Sequence, residues 1–437
     1  MMRKMPFASL VSLCLVSILL WSNESFAIAT WARKYNLGCD MCHSAMPQRN
    51  PVGEAFKNNG YRIPGGADEL FTKQLNIKIG DDDWKKGLKA PATGSFPEVN
   101  QLGIVLNGNL IRYADPTRDI LSGAEDRPRE LTLNAPNTAS LFYATSLGNH
   151  FTILGEIAGF GVSGNTIINP NVRAVLQFSP GFNLAVGNKF SNVTYNGTTV
   201  GGVANVSAVL PEPGTYAELN YTVGEESGGY TIVAGTCMAR KNATINATEN
   251  KINDVQYLRA KVKLFGAGLL SGSGGESGNQ YNNNNNQVTL GAGLSYAGKL
   301  NTGDTPSTPA SPRGFIGNWQ GETLVFGFDI QATYKDILFG GAYSRDKDLG
   351  LNNFITEAGY FIYPWLYAKV GYADIARARY ASFGKDIHQP QIIPAVSAWI
   401  APNVSLTGTY TYFTKSVEAM SDYTNQNNFA LTVKANF

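Results

Sequence analysis

The sequence predicts an all-β protein: a transmembrane β-barrel of about 16 antiparallel strands, preceded by a short α-helical segment. Three observations carry that prediction. The chain is 43% hydrophobic but only 16% charged, well under the ~25% charged residues of an ordinary soluble protein. Beyond the leader, no stretch supplies the ~20 consecutive apolar residues that a spanning helix needs, so a membrane crossing must be made by strands. In residues 428–437, finally, Phe429, Leu431, Val433, Ala435 and Phe437 alternate with Ala430, Thr432, Lys434 and Asn436. That is the pattern of a strand with one lipid-facing and one lumenal side.

Taken in order, residues 1–29 read as an export signal, with Arg3 and Lys4, an apolar run over 7–20, and small residues at Ser25, Ala27 and Ala29 for cleavage. Cys14 is lost with it. Residues 30–66 form a compact segment, 67–98 a linker, and 99–437 the barrel.

The compact segment is built around Cys39-Asp40-Met41-Cys42-His43. Two cysteines separated by two residues and followed at once by histidine are what covalent attachment of haem c requires. Cys39 and Cys42 supply thioethers, and the His43 imidazole sits beneath the iron as proximal ligand. Half a zinc site is the competing reading, but only Cys237, His150 and His388 remain in the mature chain, none at zinc-finger spacing. A thioredoxin-like dithiol would need a βαβ context, which is absent. With two cysteines given to haem, Cys237 has no partner for an intramolecular disulfide. Residues 30–66 therefore read as a monohaem c-type cytochrome. Chains below about 40 residues seldom bury enough surface alone, so the haem must shelter against the barrel.

The barrel pattern recurs upstream. Val404, Leu406, Gly408, Tyr410 and Tyr412 alternate with Ser405, Thr407, Thr409 and Thr411; Leu324, Phe326, Phe328 and Ile330 alternate with Val325, Gly327, Asp329 and Gln331. Short turns fall at 147–149, 179–181, 334–336, 363–364 and 401–403, and longer polar loops lie between them, as at 114–137 and 191–213. Short periplasmic turns alternating with long outer loops are the habit of outer-membrane barrels, and the terminal Phe437 resembles their insertion signal. One connection, the Gly/Asn-rich 266–286, is too long for its side. A soluble propeller also has many short strands, but the export signal, the low charge and the final strand favour the membrane barrel. A formal net charge of +2 argues against a nucleic-acid partner.

Trp31-Ala32-Arg33, the haem motif, Pro47, Asn50, Gly53, Phe56-Lys57 and Asn59-Gly60-Tyr61 stand directly before this barrel. The arrangement resembles the fused cytochrome-porin family, which includes outer-membrane iron oxidases; Trp31 departs from the Phe expected there. The resemblance implies an iron oxidase with His43 at its catalytic centre. Extracellular Fe(II) gives an electron to the single haem, and a periplasmic cytochrome or other carrier removes it. Another donor, reverse flow, or a diffusion porin with a sensory or structural haem remain open. An apolar band of about 25 Å is a long gap for one haem to bridge, so the N-terminal segment is expected to plug the lumen.

The distal iron ligand stays open among His150, Met238, His388, Met420 and no protein ligand at all. Met46 lies too close to His43 in sequence to reach the opposite face of the ring. Arg33 and Lys57, with Lys34, Arg49 and Arg62, are candidate partners for haem propionates, solvated helix charges being the commoner explanation of such cations. Arg259, Lys261 and Lys263 share the inward side of one strand, a basic lumenal stripe suited to propionates, to a partner's acidic patch, or to pore selectivity. Porin-like barrels often trimerise, so a homotrimer in outer-membrane lipid is expected.

Overall fold

A computed structural model describes Trp31, Tyr35 and residues 41–45, 48–63, 77–79, 94–96, 102–115, 117–118, 125–127, 130–133, 138–147, 150–161, 169–188, 191–192, 215–237, 255–272, 285–297, 323–347, 352–376, 388–401, 404–414 and 427–436.

The fold is a closed antiparallel barrel of 16 long strands. They are β1 (Leu102–Ala114), β2 (Thr138–Leu147), β3 (Phe151–Gly161), β4 (Asn169–Ser179), β5 (Phe182–Gly187) and β6 (Tyr216–Val223). Next come β7 (Ser227–Cys237), β8 (Val255–Ala267), β9 (Gln287–Ala297), β10 (Thr323–Tyr334) and β11 (Ile337–Asp346). The last are β12 (Asn352–Tyr363), β13 (Leu366–Ala376), β14 (His388–Ala401), β15 (Val404–Phe413) and β16 (Asn428–Asn436). Each pairs with its sequence neighbour, and β16 returns to β1, with Val433 opposite Gly108, to close the ring. Closure leaves no edge strand unpaired, the condition a sheet must meet in lipid. The short strand Glu130–Leu133 pairs with the upper part of β1, above the six residues that pair with β2. Glu130–Leu133 thus occupies the same side of β1 as β2 does.

The alternation read from the sequence is the alternation observed. On β6, Tyr216, Glu218, Asn220 and Thr222 are buried, while Leu219, Tyr221 and Val223 are exposed. On β8, Tyr257, Arg259 and Lys263 are buried, and Leu258, Val262 and Leu264 face outward. Aromatic rings mark one rim of the outer surface: Tyr363 stacks on Trp365 at 5.6 Å, and Phe178, Phe182 and Tyr221 follow one another around the same end. An apolar outer band bounded by aromatic residues, around a polar interior, is the surface of a barrel standing in the bacterial outer membrane. Among the described residues no helix is long and apolar enough to cross.

All the tight turns lie at one end, the end where β1 starts and β16 stops. Lys335 adopts φ 51° in the β10–β11 turn and Gly181 φ 76° in the β4–β5 turn, the left-handed conformations that two-residue hairpins demand. The β8–β9 connection breaks this rule, as its length foretold. Its first residues fold back on the barrel end: Leu269 N–H donates to the Gly228 carbonyl and Leu270 N–H to that of Gly224, and Leu269 is fully buried. These first residues form a shelf.

The expected linker contains a small sheet of Ile77–Ile79 and Gly94–Phe96. The compact segment is mixed rather than purely helical. His43–Ala45 pairs with Gln48–Arg49, and the helix α1 (Pro51–Asn58) follows. Pro47 and Pro51 explain the break, because neither offers an N–H to continue a helix through its position.

Candidate functional site

The candidate site is the segment carrying Cys42 and His43, which lies inside the barrel. Asn50 organises it. As N-cap of α1 its side chain accepts from Gly53 N–H at 3.0 Å and donates to the Met41 carbonyl at 3.0 Å, while its own N–H donates to the Cys42 carbonyl at 3.0 Å. Asparagine is a favoured cap, and Pro at the next position costs nothing because that N–H has no helical partner. The motif is thus tied to the start of the helix. The other end closes as a Schellman motif, with Tyr61 N–H donating to the Phe56 carbonyl and Gly60 N–H to that of Lys57; Gly60 takes φ 67°.

Four groups of contacts fix this plug to the wall. Glu54 forms ion pairs with Lys261 and, at 3.5 Å, with Lys263; both lysines project to the lumen between the lipid-facing Ala260, Val262 and Leu264. Asn58 Nδ2 donates to the Leu269 carbonyl at 2.9 Å and Asn59 Nδ2 to the Leu270 carbonyl at 2.8 Å. Gly272 lies against the backbone of Pro51 and Val52, so the shelf supports α1 at both ends. Arg62 donates to the Phe151 carbonyl at 3.1 Å, and Asn183 Nδ2 to the Asn58 carbonyl at 3.3 Å. The expected plug is present, seated toward the end with the tight turns.

Apolar packing reinforces it. Trp31, Tyr35, Phe56 and Tyr61 form one aromatic cluster, with ring centroids 5.4 Å apart for Trp31 and Phe56 and 6.0 Å for Phe56 and Tyr61. Tyr61 also packs on a buried lumenal cluster of Val175, Tyr216, Val233 and Tyr257. Behind it Arg173 pairs with Glu218 at 3.0 Å and donates to the Tyr216 hydroxyl at 2.9 Å, and Glu218 also accepts from Ser191 and Tyr257.

Charge on the plug is strongly perturbed. Burial alone would raise the Glu54 carboxyl, but Lys261, Lys263 and Arg49 outweigh it and hold it far below its ordinary value of 4.5. Burial, then the nearby Arg49, Arg173 and Lys261, hold the Lys57 ammonium well below the usual 10.5, with Glu218 opposing.

Of the residues predicted to act, Cys42, His43 and Lys57 share the plug. Cys39, Arg33, Met238 and Met420 lie outside the described residues. His150 is exposed at the β2–β3 turn, its Nδ1 3.0 Å from the Gln177 carbonyl. The backbone of His388 begins β14, at the end opposite the tight turns. The basic stripe of β8 needs correcting: its cations are already engaged, Arg259 by Asp329 at 2.6 Å and both lysines by Glu54. Each inward cation is desolvated by the wall, so the fold supplies it with an internal carboxylate. Glu54, Asn58 and Asn59 were missed. Their signal was there, in two adjacent amides and a connection too long for its side.

The residues present fit a covalently attached haem. Cys42 and His43 are half-buried on a turn that Asn50 holds, and among the described residues neither Cys42 nor Cys237 forms a disulfide. Phe56, one turn after Gly53, carries the aromatic cluster on the helix face that meets Cys42. Among the described residues no three His, Cys, Asp or Glu side chains gather to hold a bare metal ion.

Fold and site together define a 16-stranded outer-membrane β-barrel with an internal N-terminal plug. No family model matches the chain, and no curated protein matches it. Among solved structures it is similar to OmpT of Vibrio cholerae in trimer form, at 13% identity and TM-score 0.44 over 77% of this chain and 98% of that one. The outer membrane channel DcaP of Acinetobacter baumannii gives 10% identity and TM-score 0.47 over 77% and 96%. OprB of Pseudomonas putida gives 8% and 0.47 over 77% and 93%. At such scores the likeness assigns no activity.

Proposed function

We propose that this barrel is an outer-membrane electron conduit carrying one haem c on Cys39 and Cys42, with His43 as proximal ligand. Extracellular Fe(II) is the electron donor and a periplasmic cytochrome the acceptor. The observation that carries the reading is the seating of the Cys42-His43 turn within the lumen, where the Glu54 ion pairs and the Asn58 and Asn59 amides hold it. A free cytochrome domain below the membrane would need none of these contacts.

The haem, when bound, supplies one-electron storage. The chain does the rest. Asn50 and Gly53 fix the backbone of the motif, and the aromatic cluster would offer the haem an apolar wall. Axial ligation and burial set its potential. Donor and direction rest on the resemblance to the cytochrome-porin family. Homotrimer formation is part of the same proposal.

A second reading, a diffusion porin whose haem is sensory or structural, is favoured by the barrel itself, with its polar interior and porin-like architecture. Stopped-flow absorbance on the oxidised, detergent-solubilised protein mixed with Fe(II) tests the first, and reduction of the haem bands, lost in His43→Ala, is the expected result. Reduction by dithionite alone would point to another donor or reverse flow. Large open channels in planar bilayers would favour the porin.

A further inference from the structure

Between the plug and the β7–β10 wall lies a cleft lined among others by Arg49, Glu54, Lys57, Arg259, Lys261 and Asp329. Its carboxylates are spent: Glu54 is held by Lys261 and Lys263, and Asp329 by Arg259. Arg49 and Lys57, both on the plug, line the cleft, and among the described residues neither side chain makes a hydrogen bond or an ion pair. A further acid that acts on Lys57, Glu218, is bound to Arg173. Residues 30–66 carry five cations (Arg33, Lys34, Arg49, Lys57, Arg62) against two acids, Asp40 and Glu54.

Half-buried cations without a side-chain partner among the described residues are costly unless an anion accompanies them. We propose that this cleft binds a dianion of carboxylate or phosphate chemistry, gripped by the planar fork of Arg49 and the point charge of Lys57. Such a pair suits two oxygens, one accepting bidentately from guanidinium and the other approached by ammonium. Two sources carry that chemistry: the paired propionates of the haem, which rests on the function proposed above, or a free phosphate-type anion entering the lumen.

The probe is inorganic phosphate, titrated at constant ionic strength against chloride into the detergent-solubilised full chain. Two forms are compared: the haem-loaded protein, and the haem-free protein made by Cys39→Ala with Cys42→Ala. The expected result is that phosphate raises the melting temperature of the haem-free form, and that Arg49→Gln with Lys57→Met weakens phosphate binding about tenfold or more. Loss of the phosphate response in the haem-loaded form would identify the propionates as occupant; an equal response in both would identify a free anion. In the haem-loaded protein the same double substitution should shift the propionate-bending mode in resonance Raman spectra if propionates are held. Absence of any phosphate effect in both forms, together with an unmoved Raman mode, would overturn the proposal. The haem-free arm stands even if the haem has no part in iron oxidation.

Discussion

Gly53 lies against Cys42 so closely that a β-carbon at position 53 would overlap the Cys42 carbonyl oxygen. The helix and the haem motif therefore meet backbone to backbone, and only glycine permits the approach. Gly53→Ala must push α1 and the motif apart, at about 1–3 kcal/mol for an overpacked contact. The expected outcome is reduced haem incorporation in a pyridine haemochrome assay, with the barrel's heat-dependent gel mobility unchanged. Full haem content would show that the contact does not govern attachment.

Glu54 joins the plug to two lumenal lysines, and the Lys263 side chain is fully buried. Glu54→Gln leaves that cation without its carboxylate, a loss of roughly 3 kcal/mol for a broken buried pair. Conductance in planar bilayers should rise as the plug loosens. Adding Lys263→Met should restore most of the closure, because the stranded charge is then gone.

Acid should act through the same residue. The folded Glu54 carboxyl lies below its unfolded value of 4.5, so its stabilisation is complete above that pH and is lost as pH falls from 4.5 toward the folded value. Lys57, whose folded value is also depressed, opposes folding while protonated, and that penalty fades as pH rises through its folded value toward 10.5. Limited proteolysis of the plug should quicken below about pH 4 in the parent and lose that pH dependence in Glu54→Gln.

Asn58 and Asn59 satisfy the carbonyls of Leu269 and Leu270. Replacing either by Ala strands a part-buried carbonyl, at about 1–3 kcal/mol. Hydrogen exchange of the amides at 268–272 should accelerate in both variants, while that of β6 and β7 stays slow.

The strands were legible because a barrel wall has two environments, lipid and lumen, and a period of two records which side faces which. Leu219, Tyr221 and Val223 against Glu218, Asn220 and Thr222 state the orientation of β6 in six letters. The spacing of Cys39, Cys42 and His43 was legible because it is local, with three side chains in five residues. The partners of Arg259, Lys261 and Lys263 were not: Asp329 and Glu54 lie far away in sequence, and a register of charges names no distant acid. Nor could 266–286 be read beyond its excess length, since the carbonyls it offers to Asn58 and Asn59 are backbone groups that every residue carries.

By itself, then, the sequence determined the barrel, its in-and-out pattern, its tight-turn end and the Cys39-Cys42-His43 motif, all set by short-range periodicity and covalent spacing. Only the tertiary structure decided that the start of the long connection becomes a shelf, that the basic stripe is spent on Asp329 and Glu54, and that Arg49 and Lys57 line a cleft. Those outcomes depend on which desolvated charges and amides meet when a ring of strands closes around a small plug, a matter of distance in space that separation along the chain does not encode.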